Sequence, residues 1–82
     1  MARHEVVSPI PGIFYRRPDP DSDPFTDAGA HVDADSPVCV VEVMKSFHTV
    51  PAGAAGTVVE FLVDNEDEVD AGQAVLVIEA DG

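Results

Sequence analysis

The chain has 82 residues, enough for one small domain and too few for a deep catalytic cleft. Sixteen acidic residues against four basic ones give a formal net charge of -12, which argues against nucleic acid and an anionic membrane as partners. Hydrophobic residues make up 45% of the chain and valine is the commonest of them, so we expect a packed, mostly β domain and not a disordered acidic tail.

The N-terminal residues lack the apolar segment of a secretion signal, and no apolar run is long enough to span a membrane. We therefore expect a cytoplasmic protein. Its acidity fits either a solvated face that keeps a small domain soluble, or an adaptation to a high-salt cytoplasm in which surface carboxylates hold water and cations.

Five short runs of apolar and β-branched residues predict strands, separated by turns rich in Gly, Asp and Asn. In chain order they cover residues 13–16, 38–43, 47–50, 57–63 and 75–79. No segment has a helical periodicity of useful length. The predicted secondary structure is therefore β throughout.

The chain contains an internal repeat. Residues 27–43 align without gaps with residues 64–80, and Glu42 matches Glu79 in this alignment. Each segment begins with residues typical of turns and ends with a predicted strand. Two related halves of short strands indicate two sheets packed face to face with pseudo-twofold symmetry, each half closing the core of the other. We expect a small flattened barrel or sandwich.

The first half of the repeat is longer than the second. Gly12 lies 44 positions before its match, Gly56, whereas the later residues lie only 37 positions from theirs, so the first half holds seven extra residues. Residues 17–24 are rich in proline and aspartate and are the obvious place for them, because alternating prolines cannot donate hydrogen bonds within a central strand. We expect this segment to protrude as a loop.

Ser46 extends the third run, so the strands over 38–43 and 46–50 leave room for only a two-residue hairpin turn at Met44 and Lys45. Such turns favour residues with positive φ, usually Asn-Gly or Asp-Gly, and a left-handed conformation costs a residue with a Cβ about 1–2 kcal/mol. Met-Lys is therefore a poor choice for this turn, and Lys45 is the only lysine of the chain. Because departures from ordinary turn chemistry concentrate at functional sites, Lys45 is a candidate for covalent modification; the plainer alternative is a solvated surface lysine.

The residues around this turn resemble a known family. Residues 42–45, Glu-Val-Met-Lys, resemble the E-[AV]-M-K signature of biotinyl domains, and an apolar strand, residues 51–53 (PAG) and Gly56 follow them. Residues 8–16 (SPIPGIFYR) resemble the opening of the biotin carboxyl carrier subunit of acetyl-CoA carboxylase. The resemblance implies a single biotinyl domain over 1–82, built as a flattened barrel-sandwich of two four-stranded antiparallel sheets, with a protruding thumb at about 17–24.

The same resemblance implies a function. It implies that biotin is covalently attached to Lys45. It also implies that a biotin protein ligase recognises the neighbouring residues Glu42, Val43, Met44 and Ser46. In that family a biotin carboxylase subunit loads CO2 onto the biotin, and a carboxyltransferase subunit passes it to an acyl-CoA. The chain would then be a non-catalytic carrier, and the thumb favours acetyl-CoA carboxylase and fatty acid synthesis.

Two positions depart from the family pattern. Ser46 stands where a second Met or a Leu is common, which affects recognition by the ligase. Arg17 stands where a thumb Thr often helps to hold the biotin ring, and its guanidinium can still donate to the ureido carbonyl.

Two alternatives remain open. A lipoyl carrier resembles the biotinyl domain in fold and also modifies a lysine at a hairpin tip, but Met44 and the insertion favour biotin. An unmodified barrel-sandwich assembly module is the second alternative. We expect neither a catalytic nor a metal site, because no nucleophile or phosphate loop accompanies the carboxylates and the three histidines lack metal-ligand spacing.

Overall fold

The computed structural model describes residues 2–19 and 21–81. No helix in this described part is long and apolar enough to cross a membrane. The secondary structure over these ranges consists of the eight strands β1 (Ala2–Val7), β2 (Gly12–Tyr15), β3 (His31–Val32), β4 (Pro37–Val43), β5 (Ser46–Pro51), β6 (Gly56–Phe61), β7 (Glu68–Val69) and β8 (Ala74–Ala80).

The strands form two four-stranded sheets, with neighbour orders β1-β8-β6-β3 and β5-β4-β2-β7. Every pairing is antiparallel. Exchanging each of the first four strands with the strand four places later in the chain converts one order into the other. The predicted all-β fold of two antiparallel sheets related by pseudo-twofold symmetry is confirmed.

The core lies between the two sheets. Strands β4 and β8 each pair on both sides, and the central residues of both are buried. Phe14, Leu76 and Ile78 are the largest fully buried side chains, and valines from both halves pack around them. Because each sheet contains two strands from each half of the chain, neither half can bury its apolar residues alone.

The predicted strands are all present, but three strands were missed. β1 (Ala2–Val7) reads as polar, and Val6 is its only buried residue. It pairs with β8 as an edge strand, so it does not need an apolar face of its own. β3 (His31–Val32) and β7 (Glu68–Val69) have two residues each, too short for a strand periodicity to appear in the sequence.

Two matched glycines lie where a neighbouring strand leaves no room for a side chain. A Cβ at Gly12 would collide with the backbone carbonyl oxygen of Glu42, and a Cβ at Gly56 would collide with that of Glu79. These are the same contact in the two halves, because the repeat matches Gly12 with Gly56 and Glu42 with Glu79. The glycines that defined the repeat in the sequence are therefore required by strand packing.

The long connection between β2 and β3 covers residues 16–30, and the predicted insertion at 17–24 lies within it. Of that insertion, Pro20 lies outside the described residues. The base of the connection is closed by a hydrogen bond of 2.9 Å from the Phe25 N–H to the Arg16 carbonyl. The Arg16 Nη2 atom donates to Asp27 at 2.9 Å, and its guanidinium lies 4.0 Å from the centre of the Phe61 ring. Arg16 thus ties both ends of the loop to the sandwich.

Candidate functional site

The turn between β4 and β5 is the first feature of the site. Val43 pairs directly with Ser46, which leaves Met44 and Lys45 as the two turn residues. Their φ angles are 49° and 68°, so both adopt the left-handed conformation. The predicted two-residue hairpin with positive φ is confirmed, and its residues are ones that local turn chemistry does not favour.

The tip of this hairpin is open to solvent. Met44 is 93% exposed, and Lys45 and Ser46 are also exposed. Among the described residues, the Lys45 side chain makes no hydrogen bond or ion pair. The amino group is therefore accessible to an enzyme that would modify it.

Below the tip, Glu42 and Val43 are half-buried. Val43 packs against the core, whereas the Glu42 carboxylate lies on the outer face of its sheet. There the Tyr15 hydroxyl donates a hydrogen bond of 3.1 Å to Glu42 Oε1. This hydrogen bond raises the pKa of Tyr15 above its ordinary value, with further contributions from lost hydration and from the negative charges of Glu42 and Glu66.

A surface groove of about 490 Å³ opens beside the hairpin. Its lining includes Tyr15 and Phe47, whose ring centres are 6.4 Å apart. Phe47 is 59% exposed and lies two residues after Lys45. The other lining residues come from the β2–β3 loop and from the turn after β6: Arg17, Pro18, Asp19, Asn65 and Glu66.

Arg17 is the one predicted site residue that lines this groove. It is half-buried, and its Nε atom is inaccessible to solvent and has no hydrogen-bond partner among the described residues. Arg16, the residue before it, has Asp27 as its partner at 2.9 Å. The Arg16 Nε atom also has no hydrogen-bond partner among the described residues, so the two arginines differ in their positions: Arg16 is tied to Asp27 through Nη2, and Arg17 lines the groove.

A smaller groove of about 280 Å³ lies on the opposite sheet, and we call it the image groove. It is lined by Arg3, Val59, Val77, Ile78 and Glu79. Tyr15 matches Val59 by the repeat, and Phe47 matches Arg3 because they pair with the matched residues Glu42 and Glu79. Valine and arginine therefore stand in the image groove where two aromatic residues line the groove beside Lys45.

The sequence reasoning missed Tyr15 and Phe47 as site residues. A signal was available in the repeat, since Tyr15 is the only tyrosine and matches an aliphatic Val59. Phe47 could not be found in this way, because its match Arg3 belongs to β1, one of the three strands that were not predicted. The predicted residues Glu42, Val43, Met44, Lys45 and Ser46 form one continuous hairpin, and Arg17 reaches its side from another segment.

The family described as "Biotin-requiring enzyme" matches residues 4–81 of the chain. The biotin carboxyl carrier protein of acetyl-CoA carboxylase from Chlamydia muridarum is 44% identical over 89% of this chain and 45% of its own length. The protein of the same name from Porphyra purpurea is 39% identical over 90% of this chain and 47% of its own length. The chain thus spans about half the length of these curated relatives.

Two solved structures share the fold. The urea carboxylase of Kluyveromyces lactis superposes with a TM-score of 0.80 and 32% identity, over 96% of this chain and 6% of that chain. A single-chain, multi-domain long-chain acyl-CoA carboxylase superposes with a TM-score of 0.79 over 98% of this chain and 7% of that chain. Its identity of 22% supports the likeness of fold alone. In both cases the matching part is a small segment of a large protein.

Proposed function

The chain belongs to the family of biotin-requiring enzymes, and from this premise we propose that it carries biotin as an amide on Lys45. One observation carries the proposal. The single lysine of the chain lies exposed at the tip of a two-residue turn, and both turn residues adopt the left-handed conformation that disfavours a Cβ. A turn built for stability alone would contain glycine or asparagine there. The Glu-Val-Met-Lys motif and the match over residues 4–81 support the same assignment.

The hairpin serves modification in three ways. Lys45 has no charged partner among the described residues that it would have to leave, so forming the amide breaks no ion pair. Met44 and Ser46 flank it in the open, where a biotin protein ligase can contact them. Glu42 and Val43 lie at the base, partly buried, and give the ligase a rigid platform to recognise. We assign these four residues to recognition by the ligase.

The groove beside the hairpin fits a biotin ring. The Tyr15 and Phe47 rings offer an apolar surface, and the Arg17 side chain lines the same groove. A guanidinium can donate hydrogen bonds to a carbonyl acceptor such as that of the biotin ureido group. We assign Arg17 as a contact to the biotin, and the loop at about 17–24 as the thumb that brings it there.

Bound biotin supplies a ureido nitrogen that accepts and releases a carboxyl group. The chain's own contribution is presentation, because the hairpin holds the attachment point away from the body of the domain. A carrier that visits two enzymes needs small and short-lived interfaces with each of them. We therefore assign the chain as the non-catalytic carrier of a biotin-dependent acyl-CoA carboxylase.

The names of the relatives support acetyl-CoA carboxylase, and thus fatty acid synthesis, as the system in which this carrier acts. The partners would be a biotin protein ligase, a biotin carboxylase subunit and a carboxyltransferase subunit. The net charge of -12 disfavours nucleic acid and membrane surfaces as further partners. A cytoplasmic location is part of the same proposal, since ATP, bicarbonate and acyl-CoA are the substrates of that system.

Intact-mass measurement after co-expression with a biotin protein ligase tests the attachment. We expect the wild-type chain to gain the mass of one biotinyl group, and Lys45→Arg, which keeps the charge and the Cβ, to gain none. No gain in the wild type, or a gain that persists in Lys45→Arg, would overturn the proposal. A gain matching lipoate would favour the lipoyl alternative, which Met44 and the names of the relatives do not favour.

A further inference from the structure

We infer that Tyr15 is a positioning residue for the modification of Lys45: its hydroxyl holds the Glu42 carboxylate in one orientation on the surface that the ligase recognises. The inference rests on the proposed function, since it concerns how efficiently Lys45 is modified. It assigns a role to the groove residue whose side chain donates a hydrogen bond to the recognition motif.

The strand register explains why Tyr15 reaches Glu42. On the neighbouring strands β2 and β4, Tyr15 pairs with Val40, and Glu42 lies two residues further along. Side chains two positions apart on a strand share a face, so Tyr15 and Glu42 form a diagonal cross-strand pair on the outer face of the sheet. Phe47 pairs directly with Glu42 from the other side, on β5. The carboxylate therefore lies between two aromatic residues, and one of them donates a hydrogen bond to it.

A free glutamate side chain samples several rotamers, and a partner that binds it must fix one of them. The Tyr15 hydroxyl has already fixed one in the free carrier, at 3.1 Å from Oε1. A tyrosine hydroxyl is protonated at neutral pH, so it is available as a donor there. Preorganisation of this kind lowers the cost of forming the complex and leaves the chemistry within the complex unchanged.

The image site on the opposite sheet shows that the fold does not require this hydroxyl. Glu79 occupies the position of Glu42 and pairs with Arg3 and Thr57 in the same register. The sequence match of Tyr15 is Val59, which has no donor and lies where the register between β6 and β8 shifts. The Glu79 carboxylate accepts no side-chain hydrogen bond from the described residues. The matched residues Glu42 and Glu79 thus differ in whether a side chain donates a hydrogen bond to them. The one that accepts such a bond, Glu42, belongs to the motif that contains Lys45.

The test measures the steady-state kinetics of a biotin protein ligase with the carrier as the varied substrate, in the presence of biotin and ATP. Tyr15→Phe removes only the hydroxyl and keeps the ring beside Phe47. We expect the KM for this variant to rise roughly three- to tenfold, the range that one hydrogen bond supports, with kcat retained. Glu79→Gln is the matched control on the opposite sheet, and we expect it to behave as the wild type.

A double-mutant comparison shows whether Tyr15 acts through Glu42. In a Glu42→Ala background, Tyr15→Phe should cause no further rise in KM, because the group it positions is gone. Any of three results would overturn the inference. These are an additive rise in KM in the Glu42→Ala background, a fall in kcat with unchanged KM, and a KM for Tyr15→Phe equal to that of the wild type. Failure of the wild-type chain to accept biotin at all would instead overturn the proposed function.

Discussion

Replacing Lys45 by glycine should make the unmodified protein more stable while it abolishes modification. Lys45 has a φ of 68°, which disfavours any residue with a Cβ. Its side chain is exposed and makes no hydrogen bond or ion pair with the described residues, so its removal costs little contact energy. The substitution therefore acts almost entirely on the backbone.

The expected gain follows from two opposing effects. Relief of the left-handed conformation contributes about 1–2 kcal/mol, and the greater freedom of glycine in the unfolded chain takes back about 0.4–1 kcal/mol. The net gain is then about 1 kcal/mol, which for a domain of this size raises Tm by about 4–8 °C. Thermal unfolding of the unmodified protein, followed by circular dichroism, measures this shift.

Two controls separate backbone strain from other effects. Lys45→Arg keeps the Cβ and should have the Tm of the wild type, although it also loses the modification. Gly72 has a φ of 83° and open space around a Cβ, so Gly72→Ala should lose about 1 kcal/mol through strain alone. If Gly72→Ala is destabilised and Lys45→Gly is no more stable than Lys45→Arg, the turn is not strained and the reasoning fails.

Three further predictions concern the rest of the fold. Burial raises the pKa of Cys39 to about 12, so a thiol reagent at neutral pH should modify the urea-unfolded chain and spare the folded one. A hydrogen bond of 2.7 Å to Asp81 raises the pKa of His31, so this pair stabilises the fold fully below about pH 6.5 and the contribution is lost as the pH rises through the folded pKa. The unfolding midpoints of the wild type and Asp81→Asn should therefore converge with rising pH. Gly12→Ala should lose about 1–3 kcal/mol or more in urea unfolding, because the new Cβ collides with backbone.

Each of these has an outcome that contradicts it. Fast labelling of folded Cys39 would refute its burial. A gap between the wild type and Asp81→Asn that stays constant across neutral pH would mean that His31 does not titrate against Asp81. Gly29→Ala, which has positive φ and no neighbour for its Cβ, isolates the cost of strain, and Gly12→Ala should lose more than it does if the collision matters.

Prediction from the sequence succeeded where a local pattern carries the information. The match of Gly12 with Gly56, and of the segments that follow, anticipated two sheets with the same strand order, because each half must form the same contacts. The turn at Met44 and Lys45 was anticipated because only two residues separate two strong strand patterns. β1 was missed because an edge strand held by pairing along one side does not need an alternating apolar pattern.

The sequence by itself determined the proposed attachment point. The lysine is unique, its neighbours form a motif, and the strands around it are short enough to force the turn. Only the tertiary structure decided what surrounds that point. Tyr15, Arg17 and Phe47 come from three separate segments, and they meet because β2 and β5 flank β4 in one sheet and the β2–β3 loop returns beside them. Such contacts depend on strand order and register, which long-range packing sets and local residue preferences do not.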